Sequence, residues 1–254
     1  TLIVMIKVIG NIILLGTSHV SKQSTIQIKQ TIDKYNPDVV GIELDYDRFK
    51  SLFSKSKHKK PLKFTRLVKE FGLSGAIFTL VAGHFQNKIG KKLRIEPGID
   101  MKTAYLESRK KKIPTSLIDL NIKYTMRKIS NINIFKKILL FFKLIFTSLN
   151  PKNTKKYQFD IKKGIPSENT LLQIFNFLKK EFPQIYNILI EDRNKFMVKK
   201  LISLRKRHNT GYILAVVGAG HLPGMYELLE KEIKEDFHTT VDRTITLTYK
   251  KFNS

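Results

Sequence analysis

The sequence predicts an α/β fold in which a mainly parallel central sheet is flanked by helices. Apolar runs of strand length alternate along the chain with segments whose apolar residues recur every three or four positions. Two of these runs, 12–15 and 213–217, lead directly into the similar turns "GTSH" and "GAGH". Strands interleaved with helices are typical of a parallel sheet that carries helices on its faces.

The first part of the chain predicts a hairpin and then a strand, a helix and a strand. The opening run "TLIVMIKVIGNIILLG" contains Lys7 and the turn-forming pair Gly10 and Asn11, so it predicts a hairpin rather than a signal peptide. A helical pattern then ends before Pro37, and the run "DVVGIEL" at 38–44 predicts a strand. Such a unit forms two parallel strands joined by a right-handed crossover.

Later segments continue the alternation. The segment "DMKTAYLESRKKK" predicts a helix, and "TSLIDL" at 115–120 predicts a third core strand. The strand at 213–217 is followed by a helical pattern in "MYELLEKEIKEDF". The alternating segment "RTITLTY" at 243–249 predicts a half-exposed edge strand.

The middle of the chain predicts a helical insert. We expect a single domain over residues 1–254, in which residues 122–210 form helices that cover the sheet. Within the insert, the segment 134–149 carries a wide apolar stripe rich in Phe and interrupted by Lys. This stripe is expected to complete the core, and the alternative is a helix that lies on a membrane surface or binds a partner.

The composition is strongly basic and contains no cysteine. The formal net charge of +26 favours phosphates, anionic lipids or acidic peptides as partners, but no nucleic-acid-binding motif accompanies it. We therefore expect no specific nucleic-acid partner. The absence of Cys excludes disulfides and thiolate metal sites. No apolar run reaches the length of a spanning helix, so the expected location is the cytoplasm or a membrane surface.

Chemically useful side chains follow several of the predicted strands. In an open parallel sheet, ligands bind at the edge formed by the carboxyl ends of the strands. That edge is expected to collect two imidazoles and two carboxylates, and glycines in the turns are expected to aim the imidazoles. The side chains are His19, Glu43, Asp119 and His221, and the glycines are Gly16, Gly218 and Gly220.

This set of residues predicts a divalent metal site. Two imidazoles and one carboxylate, from His19, His221 and Glu43, suit Zn, Mn, Co or Fe and leave positions for water and substrate. A bound ion would activate water for amide hydrolysis, and a second carboxylate such as Asp119 could accept its proton. Arg48, five residues after Glu43, could stabilise an oxyanion.

Structural explanations compete with each of these roles. A histidine after a strand is often a hydrogen-bonded turn residue, Glu43 and Arg48 could form a structural ion pair, and Asp119 could cap the segment that follows it. The remaining histidines lie in basic or loop-like contexts and are interpreted as surface or structural residues: His58, His84, His208 and His238.

The segment "LLGTSHVSKQSTIQIKQTIDKYNPDVVGIELDYDRFKSL" resembles the start of the TraB/PrgY family of pheromone-shutdown proteins. The similarity continues through "EPGIDMKTAYLESRKKKIPTSLIDLNIKYTMRKI" and "LIEDRNKFMVKKL" to "VVGAGHLPGM". The family is related more distantly to the Tiki proteases and to the EreA/ChaN-like group. Many members continue into membrane-spanning helices after the second histidine motif, so the expected protein is either a soluble member or a trimmed chain.

The resemblance implies an α/β core with paired Gly-x-x-His motifs and, through the Tiki branch, metal-dependent peptidase activity. It adds Glu96 as a second candidate proton acceptor beside Asp119. Further residues lie in matched segments and are secondary candidates: Asp100, Arg127, Glu191 and Arg193. Asp100 stands where the family leads us to expect Glu, and "IEDRNKF" equally suits a helix with a Glu191–Lys195 pair.

We therefore predict a metal-dependent hydrolase that acts on peptide or protein substrates. The alternative is a non-catalytic module that sequesters a peptide or binds an anionic membrane surface through its positive charge. The sequence does not indicate the substrate, the identity of the metal or the oligomeric state.

Overall fold

A computed structural model describes residues 5–17, 22–54, 65–69, 72, 76, 98–132, 176, 178–208 and 210–235. Five strands and seven helices are labelled here in chain order. They are β1 (Met5–Ile9), β2 (Ile12–Thr17), α1 (Lys22–Tyr35), β3 (Val39–Ile42), α2 (Tyr46–Phe53), α3 (Ile99–Lys110), β4 (Thr115–Leu117), α4 (Ile122–Ser130), α5 (Pro183–Tyr186), α6 (Asp192–Arg207), β5 (Ile213–Gly218) and α7 (222–235). A π-helical turn, Asn187–Glu191, joins α5 to α6, and a 3₁₀ turn, Ala219–His221, joins β5 to α7.

The sheet has the order β1-β2-β5-β3-β4. The pairs β2–β5, β5–β3 and β3–β4 are parallel, and β1 pairs with β2 in the antiparallel direction. The predicted α/β class with a mainly parallel sheet is therefore confirmed. The predicted hairpin is also confirmed, because β1 and β2 meet across Gly10, whose φ of 55° suits a glycine.

Two details of the predicted sheet differ from the structure. Strands β2 and β3 are parallel, as predicted, but they are not neighbours, because β5 lies between them. The segment 115–120 was predicted as a core strand, but only Thr115–Leu117 forms a strand, and it lies beside β3 at the edge of the described sheet. All three of its residues are half-buried.

Helices cover both faces of the sheet. Alternate residues of β2 and β5 point to opposite faces, as the period of two of a strand requires. One face packs against α6 and α7, with the buried residues Ile12, Leu14, Val39, Ile118, Met197, Val198, Leu201, Leu204, Ile213, Ala215, Val217, Leu222, Met225 and Leu229. The other packs against α1 and α3, with Ile13, Leu15, Ile28, Ile32, Val40, Ile42, Leu44, Met101, Ala104, Leu214 and Val216.

Within the predicted insert 122–210, the described residues include the helices α4, α5 and α6 and the π turn. Helix α6 contributes four buried residues to the core beneath the sheet, so this part packs on the sheet as predicted. The division of the chain into one domain and an insert stays a prediction. The Phe-rich segment 134–149 and the predicted edge strand 243–249 lie outside the described residues.

Across the described parts of the chain, no helix combines the length and the apolar character that crossing a lipid bilayer requires.

Candidate active site

A buried pair of side chains, Glu43 and His221, lies at the carboxyl ends of β3 and β5. Glu43 directly follows β3, and its backbone N–H donates to the Val216 carbonyl of β5 at 3.1 Å. His221 closes the 3₁₀ turn after β5. The His221 Nε2 lies 3.3 Å from the Glu43 Oε1, and each side chain is only 5% exposed. The predicted sheet edge thus brings these two residues into direct contact.

The backbone of the second histidine motif helps to hold Glu43. The Gly218 N–H donates to the Glu43 Oε2 at 2.5 Å. Gly218 has an extended backbone, with φ −62° and ψ 139°, so this contact does not need a conformation reserved for glycine. At Gly16, the absence of a side chain allows the backbone to approach Ala219 closely, because a Cβ there would lie 3.3 Å from the Cα of Ala219. Among the described glycines, Gly16, Gly218 and Gly220 do not have a positive φ.

The other nitrogen of His221 contacts Asn194 of α6. The Nδ1 lies 2.7 Å from the Asn194 Oδ1, and Asn194 is fully buried. An amide oxygen only accepts hydrogen bonds, so this contact requires a proton on Nδ1. A neutral His221 ring therefore presents the lone pair of Nε2 to Glu43.

Arg193, the neighbour of Asn194, connects Glu43 to Asp119. Its Nη2 bonds the Glu43 Oε1 and donates to the Asp119 Oδ2 at 2.7 Å, and its Nε donates to the Asp119 Oδ1 at 3.0 Å. Burial acts to lower the pKa of Arg193, but the charges of Glu43 and Asp119 and their hydrogen bonds raise it above its ordinary value. The guanidinium therefore stays charged while it bridges two carboxylates.

Asp119 is surrounded by hydrogen-bond donors. It follows β4, and its side chain is completely buried. Besides the two bonds from Arg193, it accepts one from the Arg48 Nη2 and one from the Leu120 N–H at 2.7 Å. An ionised carboxylate offers about four lone-pair positions. These four donors therefore use the acceptor capacity of Asp119.

Arg48 lies at the outer side of the cluster. It sits on α2, its side chain is 33% exposed, and its Nε donates to the Asp45 Oδ2 at 2.6 Å. Asp45 is the N-cap of α2 and accepts from the backbone of Asp47 and Arg48. Arg48 thus pairs with Asp45 and Asp119, whereas Glu43 pairs with Arg193.

Ion pairs connect the charged side chains of this group. We call the charged residues of the group the edge cluster: Glu43, Asp45, Arg48, Asp119 and Arg193. Among the described residues, its three carboxylates are linked through two guanidinium groups. Buried charges are costly unless they are paired, so these ion pairs stabilise the charged side chains at this edge of the sheet.

Asp100 lies at the end of a neighbouring strand. It is fully buried in the first turn of α3, where its Oδ1 accepts from the Met101 N–H at 2.8 Å and its Oδ2 accepts from the Thr17 hydroxyl. Thr17 is the last residue of β2 and pairs with Gly218 of β5. Asp100 therefore occupies the same edge of the sheet despite being one methylene shorter than the expected Glu.

The other predicted residues lie elsewhere. Arg127 is exposed on α4. Glu191 accepts a hydrogen bond from the Tyr186 hydroxyl, and burial together with the charge of Glu191 raises the pKa of that phenol. His19 and Glu96 lie outside the described residues, so the structure places neither.

Sequence reasoning missed Asn194, Thr17 and Asp45. Asp45 had a detectable signal, because an Asp directly before a helical segment is a favoured N-cap. Asn194 had none, because its role depends on which side of α6 faces the sheet. A π turn lies immediately before α6, and the apolar pattern of the sequence did not indicate it.

The contact between His221 and Glu43 fits two ligands of one metal ion. Ligands about 2.0–2.2 Å from a tetrahedral ion lie about 3.3–3.6 Å apart, and the observed separation is 3.3 Å. Both oxygens of Glu43 also accept hydrogen bonds, Oε1 from Arg193 and Oε2 from the Gly218 N–H. Within the described ranges, no group of three or more His, Asp or Glu side chains could hold a metal ion. The third predicted ligand, His19, lies outside those ranges.

Comparisons with known proteins agree with the resemblance seen in the sequence. A profile of the TraB/PrgY/gumN family matches residues 7–241. An uncharacterized protein of Methanocaldococcus jannaschii is 32% identical over 224 residues, which are 87% of this chain and 54% of that protein. TraB domain-containing proteins of Bos taurus and Mus musculus are 22% and 23% identical, over 85% of this chain and 62% of their own length. The chain thus spans less than two thirds of each of these relatives.

Proposed function

The chain belongs to the TraB/PrgY/gumN family, and from this premise we propose that it is a metal-dependent hydrolase that cleaves peptides. The observation that carries the proposal is the buried contact between His221 and Glu43 at the carboxyl edge of a mainly parallel sheet. Ligand sites of open parallel sheets lie at this edge. The choice of peptides as substrates rests on the resemblance to the Tiki branch.

His221, Glu43 and His19 would hold the metal ion. Thr17 pairs with Gly218, so β2 and β5 end side by side, and His19 follows two residues after Thr17. The covalent chain limits the distance between the Cα atoms of Thr17 and His19 to about 7.2 Å. When bound, a divalent ion would supply a water of lowered pKa and polarise the scissile carbonyl.

The edge cluster would keep the ligands in place. Arg193 fixes one oxygen of Glu43 and the Gly218 N–H fixes the other, so the carboxylate cannot rotate freely. Asp119 holds Arg193 from the opposite side and is itself held by Arg48. Because four donors already bond to Asp119, we assign it a positioning role and retain Glu96 as the candidate proton acceptor.

The test compares peptide cleavage by the wild type with cleavage by a double variant, His19→Ala with His221→Ala. The substrate is an unbiased peptide library that is analysed by mass spectrometry after incubation with Mn²⁺, Co²⁺, Zn²⁺ or Fe²⁺. We expect cleavage by the wild type to stop on addition of a chelator and to return with metal. The double variant should lose at least about 100-fold in rate.

A matched control is His208→Ala. His208 lies at the C-terminal end of α6, and its Nδ1 is 4.0 Å from an Asp38 carboxylate oxygen outside the edge cluster. This variant should cleave at the wild-type rate. Equal activity of the wild type and the double variant would refute the metal ligands proposed here.

The net charge of +26 favours the alternative function, a module that binds acidic peptides or an anionic membrane surface. Binding that survives chelator and the histidine substitutions, with no detectable cleavage of any peptide, would support this alternative against the hydrolase.

A further inference from the structure

We propose that Asn194 is a positioning residue that holds the proton of His221 on Nδ1 and so keeps Nε2 as a metal ligand. This inference rests on the proposed metal site. It concerns a residue that none of the sequence motifs identified, and it is carried by the contacts of three buried groups.

The first observation is the contact between Asn194 and His221. Its 2.7 Å length is that of a good hydrogen bond, and the amide oxygen faces the ring. When the amide oxygen faces the ring, the proton must be on Nδ1, because an amide oxygen only accepts hydrogen bonds. The reversed amide would donate to Nδ1 and move the proton to Nε2.

The second observation is what the Nε2 faces. It lies 3.3 Å from a Glu43 oxygen, which can only accept when the carboxylate is ionised. If the proton were on Nε2, the ring would donate an ordinary hydrogen bond to the Glu43 carboxylate. With the proton on Nδ1, two acceptors face each other, and a cation bound between them removes the repulsion.

The third observation is the packing around the amide. A Cβ on Gly224 of α7 would lie 2.6 Å from the Asn194 Nδ2, so any other residue at this position would force a shift near the amide. The Nδ2 is buried and has no acceptor among the described residues. The oxygen of this side chain contacts the His221 Nδ1 instead.

The test uses two substitutions of similar size. Asn194→Asp keeps an acceptor facing Nδ1, whereas Asn194→Leu keeps the volume and removes the hydrogen bond. Metal-ligating histidines depend on such partners, and losing one typically lowers metal affinity by about 10-fold to 100-fold. We expect the Leu variant to bind Zn²⁺ about 10-fold to 100-fold more weakly in calorimetric titration, and the Asp variant to bind within about threefold of the wild type.

A second readout needs neither metal nor substrate. Nitrogen NMR of metal-free wild-type protein, recorded up to the pH at which the His221 signals stop shifting, identifies the nitrogen that carries the proton. We expect the proton on Nδ1 in the wild type. Circular dichroism reports whether each variant is folded. If the Leu variant is not folded, the nitrogen NMR spectrum of the wild type alone tests the role of Asn194.

The outcomes separate this inference from the proposed function. A neutral ring protonated on Nε2, or a folded Leu variant that binds Zn²⁺ as tightly as the wild type, would overturn the role of Asn194 even if peptides are cleaved. A wild type that carries its proton on Nδ1 but cleaves no peptide would sustain the positioning of the ring and overturn the hydrolase.

Discussion

At the scale of single residues, Arg193 connects the parts of the site. Its guanidinium bridges Glu43 and Asp119, and its neighbour Asn194 holds His221. Two consecutive residues of one helix therefore determine the positions of both proposed ligands that the structure describes. This arrangement makes Arg193 a structural requirement as well as an electrostatic one.

Replacing Arg193 by Met should destabilise the protein strongly. Removing one partner of a buried ion pair leaves the other charge uncompensated, which typically costs about 3–5 kcal/mol. Here two carboxylates would lose their shared partner. Urea unfolding followed by circular dichroism measures the change in the free energy of unfolding.

The matched control for this substitution is Arg127→Met, because Arg127 is exposed on α4. Surface substitutions usually change stability by less than about 0.5 kcal/mol. If both variants unfold at the same urea concentration, the bridge formed by Arg193 contributes little to the fold.

The sequence predicted part of this cluster. Glu43, Asp119 and His221 were identified because each follows an apolar run, and the ends of parallel strands meet at one edge. Arg193 was only a secondary candidate, and its pairing with Glu43 was not predicted, because the two residues are 150 positions apart in the chain. Only the three-dimensional packing of α6 against the sheet brings the two residues together.

At the scale of elements, α6 and α7 meet through Asn194 and Gly224. Both helices pack on the same face of the sheet. The two helices approach each other closely where Gly224 meets the Asn194 amide. The first turn of α7 therefore limits the position of the Asn194 side chain. The geometry of His221 therefore depends on helix packing as well as on its own turn.

Gly224→Ala should reduce activity more than it reduces stability. The added methyl group would lie 2.6 Å from the Asn194 Nδ2, so the amide that contacts His221 must shift. We expect weaker Zn²⁺ binding and slower cleavage, with a change in the free energy of unfolding within the 1–3 kcal/mol typical of overpacking. Calorimetric titration and thermal unfolding of the same preparation measure both effects. Unchanged metal affinity would show that the amide moves without consequence for His221.

Gly41→Ala should reduce stability more than it reduces activity. A Cβ at this position of β3 would lie 3.1 Å from the Cγ2 of Ile118 in the core, which α6 covers. Overpacking of this kind typically costs about 1–3 kcal/mol. We expect a lower midpoint in urea, whereas Ser203→Ala, on the exposed side of α6, should leave the midpoint nearly unchanged. A midpoint equal to that of the wild type would mean that Ile118 moves aside without cost.

The elements were predicted more accurately than their order. Local patterns indicated the hairpin, the strand 38–44 and the helix that became α3, because apolar periodicity is a local property. The position of β5 between β2 and β3 was not predicted. Strand order depends on contacts between segments that lie about 200 residues apart, and a local pattern carries no information about them.

At the scale of the whole molecule, the net charge of +26 acts independently of the site. Lysine and arginine near a membrane surface each contribute about 1 kcal/mol of attraction to anionic lipid, and salt screens this attraction. We expect binding to phosphatidylserine vesicles that falls steeply between about 50 and 500 mM NaCl. Vesicle cosedimentation measures it, and His221→Ala should bind like the wild type. Binding that is insensitive to salt would indicate apolar insertion instead.

The central claim is that Glu43 and His221 bind the same cation. Calorimetric titration of the metal-free protein with Zn²⁺, repeated with Glu43→Gln and with His221→Ala, tests it most directly. We predict one tight site in the wild type and affinities at least about 10-fold weaker in both folded variants. Wild-type protein that binds no ion, or variants that retain the wild-type affinity, would contradict the claim.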